Sequence, residues 1–137
     1  MESPHDNRFS SQYLNLAEER LGSVVLATTD DFFAEKENII KPGRGISIPD
    51  KFTDDGKWMD GWESRRKRIP GHDWCSIRLG APGKIRALDI DTNHFTGNFA
   101  PFASLEACEI TVDPDDSTEW TELLAKSPLT GTSQNFF

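Results

Sequence analysis

Long apolar runs, paired cysteines and positive charge are what this 137-residue sequence lacks. No stretch approaches the roughly 20 apolar residues that a bilayer-spanning helix needs, so no membrane partner is expected. The opening segment MESPHDNRFS has no apolar core of the kind a secretory leader carries. With 15 Lys and Arg against 23 Asp and Glu, the net charge is −8, and phosphate backbones and anionic lipids are repelled. Non-specific nucleic-acid binding is therefore not expected. The two cysteines, Cys75 and Cys108, sit far apart in apolar stretches. They read as reduced, buried thiols of a cytoplasmic protein, with a disulfide as the lesser alternative. No internal repeat is visible. Hydrophobic residues make up only 36% of the chain, enough for a core but a lean one.

Turns, by contrast, are plentiful. Ten Gly and eight Pro mean many chain reversals, which suits a sheet protein better than a helix bundle. Residues 1–12 are polar and expected to be loose, and 13–137 are expected to form one domain. Leu14–Leu21 predicts a short helix that Gly22 stops, and Val24–Thr28 (VVLAT) predicts a strand. The chain should leave the sheet over 29–34, and 41–57, with three Gly and two Pro, should be a long loop. In 74–79, Cys75, Ile77 and Leu79 alternate with Trp74, Ser76 and Arg78, the period of a half-buried strand. After the turn at 80–83, Ile85–Asp91 predicts a second strand with Leu88 and Ile90 on one face. Leu105–Val112 predicts another, whose apolar phase slips between Ala107 and Cys108, as at a bulge or where both faces are buried. Asp113–Glu119 reads as an acidic turn, and Trp120–Leu124 as a helical turn or a strand. Strands parted by turns without alternating helices predict an all-β, mainly antiparallel sandwich or barrel with long loops and little helix.

Chemistry concentrates in Lys57–Trp74 (KWMDGWESRRKRIPGHDW), which holds three of the four Trp. Charged groups are costly to bury unpaired, so this is poor core but good site material. Arg65, Arg66, Lys67 and Arg68 are consecutive. They read as a solvated face or as an anion clamp in which a planar guanidinium meets a carboxylate through two bonds; a nuclear-import or nucleic-acid patch fits the run's composition but not its acidic surroundings and interleaved Trp and Gly. His72 and Asp73 are an acid/base candidate pair, although neighbours on a strand point to opposite faces; Pro70-Gly71 could bend the backbone enough. The alternative is a loop histidine with local hydrogen bonds. Asp89, Asp91 and His94 could ligate a metal, but turn chemistry at Asp91 and Asn93 explains them more simply. Asp30 and Asp31 read as turn formers ahead of Phe32-Phe33. No cofactor is expected; a divalent metal is conceivable but not indicated.

The segments LNLAEERLGSVVLATTDDFFAEKENII (14–40), DGKWMDGWESRRKRIPGHDWCSIRLG (55–80), GKIRALDIDTNHFTGNFAP (83–101) and WTELLAKSPLTGTSQNFF (120–137) resemble the allantoicase family. The second is long and rich in rare residues, and it carries most of the resemblance. The resemblance implies a jelly-roll β-sandwich of the galactose-binding, discoidin-like kind. It implies hydrolysis of allantoate to ureidoglycolate and urea. It also implies two tandem copies, of which this chain would be one, cut short at its C-terminal end. The expected partners are allantoate, a second repeat and a further copy of the whole. A peroxisomal address in a missing C-terminus is the alternative to the cytoplasm. The residues expected to do the chemistry are His72, Asp73 and Glu63. Those expected to bind substrate are Arg65, Arg66, Arg68, Trp62, Asp91 and His94, with no metal ligand among them. A non-catalytic discoidin-like binding module, and a structural half that folds only with its partner copy, are the competing readings.

Overall fold

The structure, a computed structural model, describes Phe9 and residues 11–137. Most of the expected loose segment, residues 1–8 and 10, lies outside the described residues. The chain divides into two compact units, one ending at Arg86 and the other running from Ala87 to Phe137.

The first unit is framed by β1 (Val24–Thr28), β2 (Phe52–Thr53), β3 (Gly56–Lys57) and β4 (Cys75–Arg78). β1 pairs antiparallel with β4, with an irregularity between Val25 and Ala27; β2 and β3 form a small hairpin inside the expected loop. The helix expected over 14–21 shrinks to a 3₁₀ turn, Glu19–Leu21. Gly22 ends it as foreseen, at φ 104°, a left-handed cap that an L side chain rarely tolerates. A second 3₁₀ turn, Lys36–Ile40, follows β1 and escaped the sequence reading. Val25, Ala34, Ile40 and Met59 form the buried apolar set of this unit. Ser23, also buried, ties its edge: its hydroxyl donates to the Leu16 carbonyl at 2.6 Å and accepts from the Gly80 N–H at 2.9 Å.

The second unit contains β5 (Asp89–Asp91), β6 (Phe102–Ala107), β7 (Thr121–Pro128) and β8 (Gln134–Phe136). β5 pairs with β8 and β6 with β7, both antiparallel. The strand expected over 85–91 pairs only from Leu88 on, because its partner strand is three residues long and Ile85 and Arg86 are exposed. The strand expected over 105–112 lies earlier. The phase slip at Ala107 and Cys108 marks where the strand ends, and the irregularities sit at 103–106. Trp120–Leu124 resolves as the start of a strand, β7, whose Leu124 faces Leu105 of β6.

The fold is all-β and antiparallel with almost no helix, as expected; among the described residues each ladder is two-stranded. Both cysteines are free and half-buried. Burial pushes the Cys75 thiol up to about 11, since a thiolate on β4 would be poorly solvated. No helix among the described residues is long and apolar enough to cross a membrane.

Candidate active site: a cationic cleft beside the first strand pair

The β1–β4 pair sets up the site by bringing together the residue after β1 and the residues before β4. Thr29 N–H donates to the Trp74 carbonyl at 3.0 Å, and Trp74 N–H donates back to the Thr29 hydroxyl at 2.9 Å. That hydroxyl in turn donates to Asp73 Oδ1 at 2.9 Å. The chain then leaves the sheet through Asp30, whose Oδ1 accepts from the Phe32 N–H at 3.1 Å, an Asx turn.

The basic run reaches this turn through a backbone bridge. Ala34 and Glu63 pair antiparallel, with N–H to carbonyl distances of 3.2 and 3.1 Å. Two residues on, Arg65 meets Asp30 three times. Its backbone N–H reaches Oδ1 at 3.0 Å, and Nε and Nη2 both reach Oδ2 at 2.7 Å. Trp62 Nε1 donates to the Asp30 carbonyl at 2.8 Å. The hydrogen bond from the Arg65 backbone N–H, helped by the Phe32 N–H and the guanidinium, holds the Asp30 carboxyl below its usual value, although partial burial opposes this. The Arg65 guanidinium also lies 5.1 Å from the Phe32 ring centre, a cation–π distance. Lys67 Nζ reaches Asp73 Oδ1 at 3.4 Å.

An open cleft of about 600 Å³ results. Its wall is Arg65, Arg66, Lys67 and Arg68 with Asp30 and Asp73, and Phe33 and Ile69 add an apolar patch. Four cations against two carboxylates leave a local surplus of two positive charges in a chain of net charge −8. The surplus is specific to position. Arg65 and Lys67 are neutralised by Asp30 and Asp73, whereas Arg66 and Arg68 have no internal partner among the described residues. Two free guanidinium forks in one cleft can take a small carboxylate or a comparable oxyanion.

Of the residues expected from the sequence, Arg65, Arg66, Arg68 and Asp73 line this cleft. Trp62 braces Asp30 from behind, and Glu63 contributes its backbone to the bridge. His72 is exposed, is not part of the cleft lining and makes no hydrogen bond to Asp73, whose Oδ1 is occupied by Thr29 and Lys67. The direct His72–Asp73 pair is thus not formed. Asp91 and His94 belong to the second unit. There Asp91 Oδ1 accepts from the Asn93 N–H at 2.9 Å, the turn chemistry anticipated, and half-buried His94 sits at φ 68°. Among the described residues no three His, Cys, Asp or Glu side chains converge as a metal-ligand set. The sequence reading missed Thr29, Asp30, Phe33 and Ile69. Their only sequence signal was the Asx pattern at Asp30, which is local and names no distant partner.

Comparison with known proteins bears on this geometry. The family described as "Allantoicase repeat" matches residues 14–137. A protein of Burkholderia mallei named "Probable allantoicase 1" is 47% identical over 137 residues, covering 99% of this chain and 41% of that protein. A "Probable allantoicase" of Photobacterium profundum is 51% identical over 125 residues, 90% of this chain and 38% of that protein. Among solved structures, one titled "Structure of allantoicase" superposes with a TM-score of 0.70 at 31% identity, over 90% of this chain and 38% of that chain. The crystal structure of the Saccharomyces cerevisiae allantoicase gives a TM-score of 0.66 at 31% identity, over 88% and 37%. The chain therefore spans about two fifths of the length of the relatives it matches.

Proposed function

The chain belongs to the allantoicase family, and we propose from this that it forms part of an enzyme that hydrolyses allantoate to ureidoglycolate and urea. The observation that carries the proposal is the pair of arginines, Arg66 and Arg68, without a partner among the described residues, in a cleft of about 600 Å³. Allantoate is a small carboxylate bearing two ureido groups on one carbon. In this reading Arg66 and Arg68 grip the carboxylate, and the Phe33 and Ile69 patch covers the uncharged side of the substrate. Asp73 accepts hydrogen bonds from ureido N–H groups.

Hydrolysis breaks one bond from the central carbon to a ureido nitrogen and forms a carbon–oxygen bond to water. A general base must take a proton from the water, and a general acid must give one to the departing urea. Of the two cleft carboxylates, Asp30 is held by Arg65, which leaves Asp73 as the first choice for this work. His72 and Glu63, which lie off the cleft lining, are second choices that would have to move to reach it. The proposal includes a jelly-roll β-sandwich, supported by the antiparallel ladders and the likeness to allantoicase structures. It also includes a second repeat as partner, supported by the family's description as a repeat and by the 41% coverage.

The test is urea release from allantoate by the 137-residue chain, with and without added divalent metal, beside Arg66→Ala and Arg68→Ala. Each substitution is expected to weaken allantoate binding about tenfold, as loss of a charge-assisted hydrogen bond does. Wild-type affinity in both variants would remove the cleft from the reaction.

A further inference from the structure

Four adjacent cations repel one another, and in water such a run splays outward. Here it lines a cleft, and every second member is tied down. Arg65 is held by Asp30 and Lys67 by Asp73, while Arg66 and Arg68 between and beyond them have no partner among the described residues. The stronger of the two tethers is the one at Asp30. It grips both the backbone and the guanidinium of Arg65, through contacts of 3.0, 2.7 and 2.7 Å. Asp30 is the fixed end of the pair: its side chain is 13% exposed against 64% for Arg65, and its carbonyl is pinned by the Trp62 indole.

We propose that Asp30 is the positioning residue of the anion-binding run, holding the backbone and guanidinium of Arg65 so that the following backbone, which carries Arg66 and Arg68, is fixed at the cleft before the ligand's carboxylate arrives. The physical gain is preorganisation of the backbone, since a segment fixed before binding loses less freedom on binding. The proposal rests on the reading of the cleft as the carboxylate site. The opposite arrangement is also well defined: were Arg65 itself a ligand for the carboxylate, Asp30 would compete with substrate for it.

Asp30→Asn separates the two. The amide oxygen still accepts from the Phe32 and Arg65 backbone N–H groups, so the turn survives, but the charge that holds the guanidinium is gone. Titration of allantoate into the wild-type chain, Asp30→Asn, Arg65→Met and the double variant is the experiment. The expected result is a Kd about tenfold weaker in each single variant, with little further loss in the double variant, because both remove the same tether. Melting temperatures should stay within about 4 °C of wild type, since the freed guanidinium is solvated at the surface. Unchanged or tighter binding by Asp30→Asn, or a much larger loss in Arg65→Met than in Asp30→Asn, overturns the proposal. Failure of the wild-type chain to bind allantoate would sink the functional reading instead. The tether is then judged by hydrogen exchange of Arg65 Nε–H in ¹⁵N spectra, which should be slow in the wild type and fast in Asp30→Asn. Equal rates in the two would also overturn it.

Discussion

Asp30 and Asp91 begin alike and end differently. Each lies at or just past the end of a strand and turns the chain by accepting the N–H two residues on, at 3.1 Å from Phe32 and 2.9 Å from Asn93. In the first unit, the turn's other carboxylate oxygen meets a guanidinium 35 residues away and one wall of an open cleft forms. In the second, the turn closes on its own surroundings. Thr92, buried directly after Asp91, donates to the Thr130 carbonyl at 2.6 Å and accepts from the Ser133 N–H at 3.2 Å. Asn135 accepts from the Thr130 N–H at 2.8 Å and donates to the Ile90 carbonyl at 2.9 Å. The lesson is that an identical local device can serve a ligand or the fold, and that the long-range partner decides which. Polar groups spent on backbone stabilise; polar groups left over, such as Arg66 and Arg68, are the ones proposed to bind.

The contrast can be tested where it is most fragile. Gly80, after β4, has no room for a side chain: a Cβ there would lie 2.5 Å from the Leu21 carbonyl oxygen and 2.8 Å from the Ser23 nitrogen. Gly80→Ala should cost about 3 kcal/mol of stability in urea denaturation and weaken allantoate binding too, because the β1–β4 frame that carries Asp30 must shift. Full retention of both would mean that the frame does not position the cleft. On that frame, Cys75, pushed up to about 11 by burial, should be alkylated about a hundredfold more slowly at pH 8 than a thiol of ordinary acidity. Fast labelling would show that the strand pair beside the open cleft is itself solvated.

Thr92→Val probes the other side of the comparison. It leaves the Ser133 N–H and the Thr130 carbonyl without their hydroxyl partner and should cost about 2 kcal/mol by denaturation. Allantoate affinity of the chain that remains folded should not change. A loss of affinity would mean that the second unit's polar network serves the ligand after all. The smallest effect is on pH dependence. The Asp30 carboxyl titrates below its usual value in the native state, so its contribution is complete above the unfolded value of about 3.9 and is lost as pH falls through the depressed native value. Asp30→Asn should therefore lower stability slightly and by a constant amount near neutrality, flatten the profile below about pH 4 and converge with wild type in acid. An acid limb identical to wild type would show that the Asp30–Arg65 pair contributes nothing to the fold.

Much of the fold was legible because its signals are local. The β-branched run of Val24–Thr28 and the alternation around Cys75–Arg78 became β1 and β4, and Gly22 capped the 3₁₀ turn where expected. Strand ends were less legible. Ile85 and Arg86 have strand-like sequence, but a strand needs a partner, and the three-residue β8 reaches only as far as β5. The basic run read as a solvated face or a clamp, yet its division into tethered Arg65 and Lys67 and, among the described residues, unpaired Arg66 and Arg68 was invisible, since the counter-charges lie 35 and 6 residues away. For His72 and Asp73, adjacency offered a pair, but the partners that Asp73 Oδ1 takes, Thr29 and Lys67, lie 44 and 6 residues away.

By itself, then, the sequence determined the strand-forming segments, the turns, the excess of acid and the family, because periodicity, Gly and Pro placement and a long run of rare residues act or are read locally. Only the tertiary structure decided which charges remain free. Pairing β1 with β4 puts Thr29 and Asp30 beside Asp73 and the Arg65–Arg68 run, and electrostatic pairing, which is short-ranged and geometric, then neutralises two cations and leaves two without a partner among the described residues.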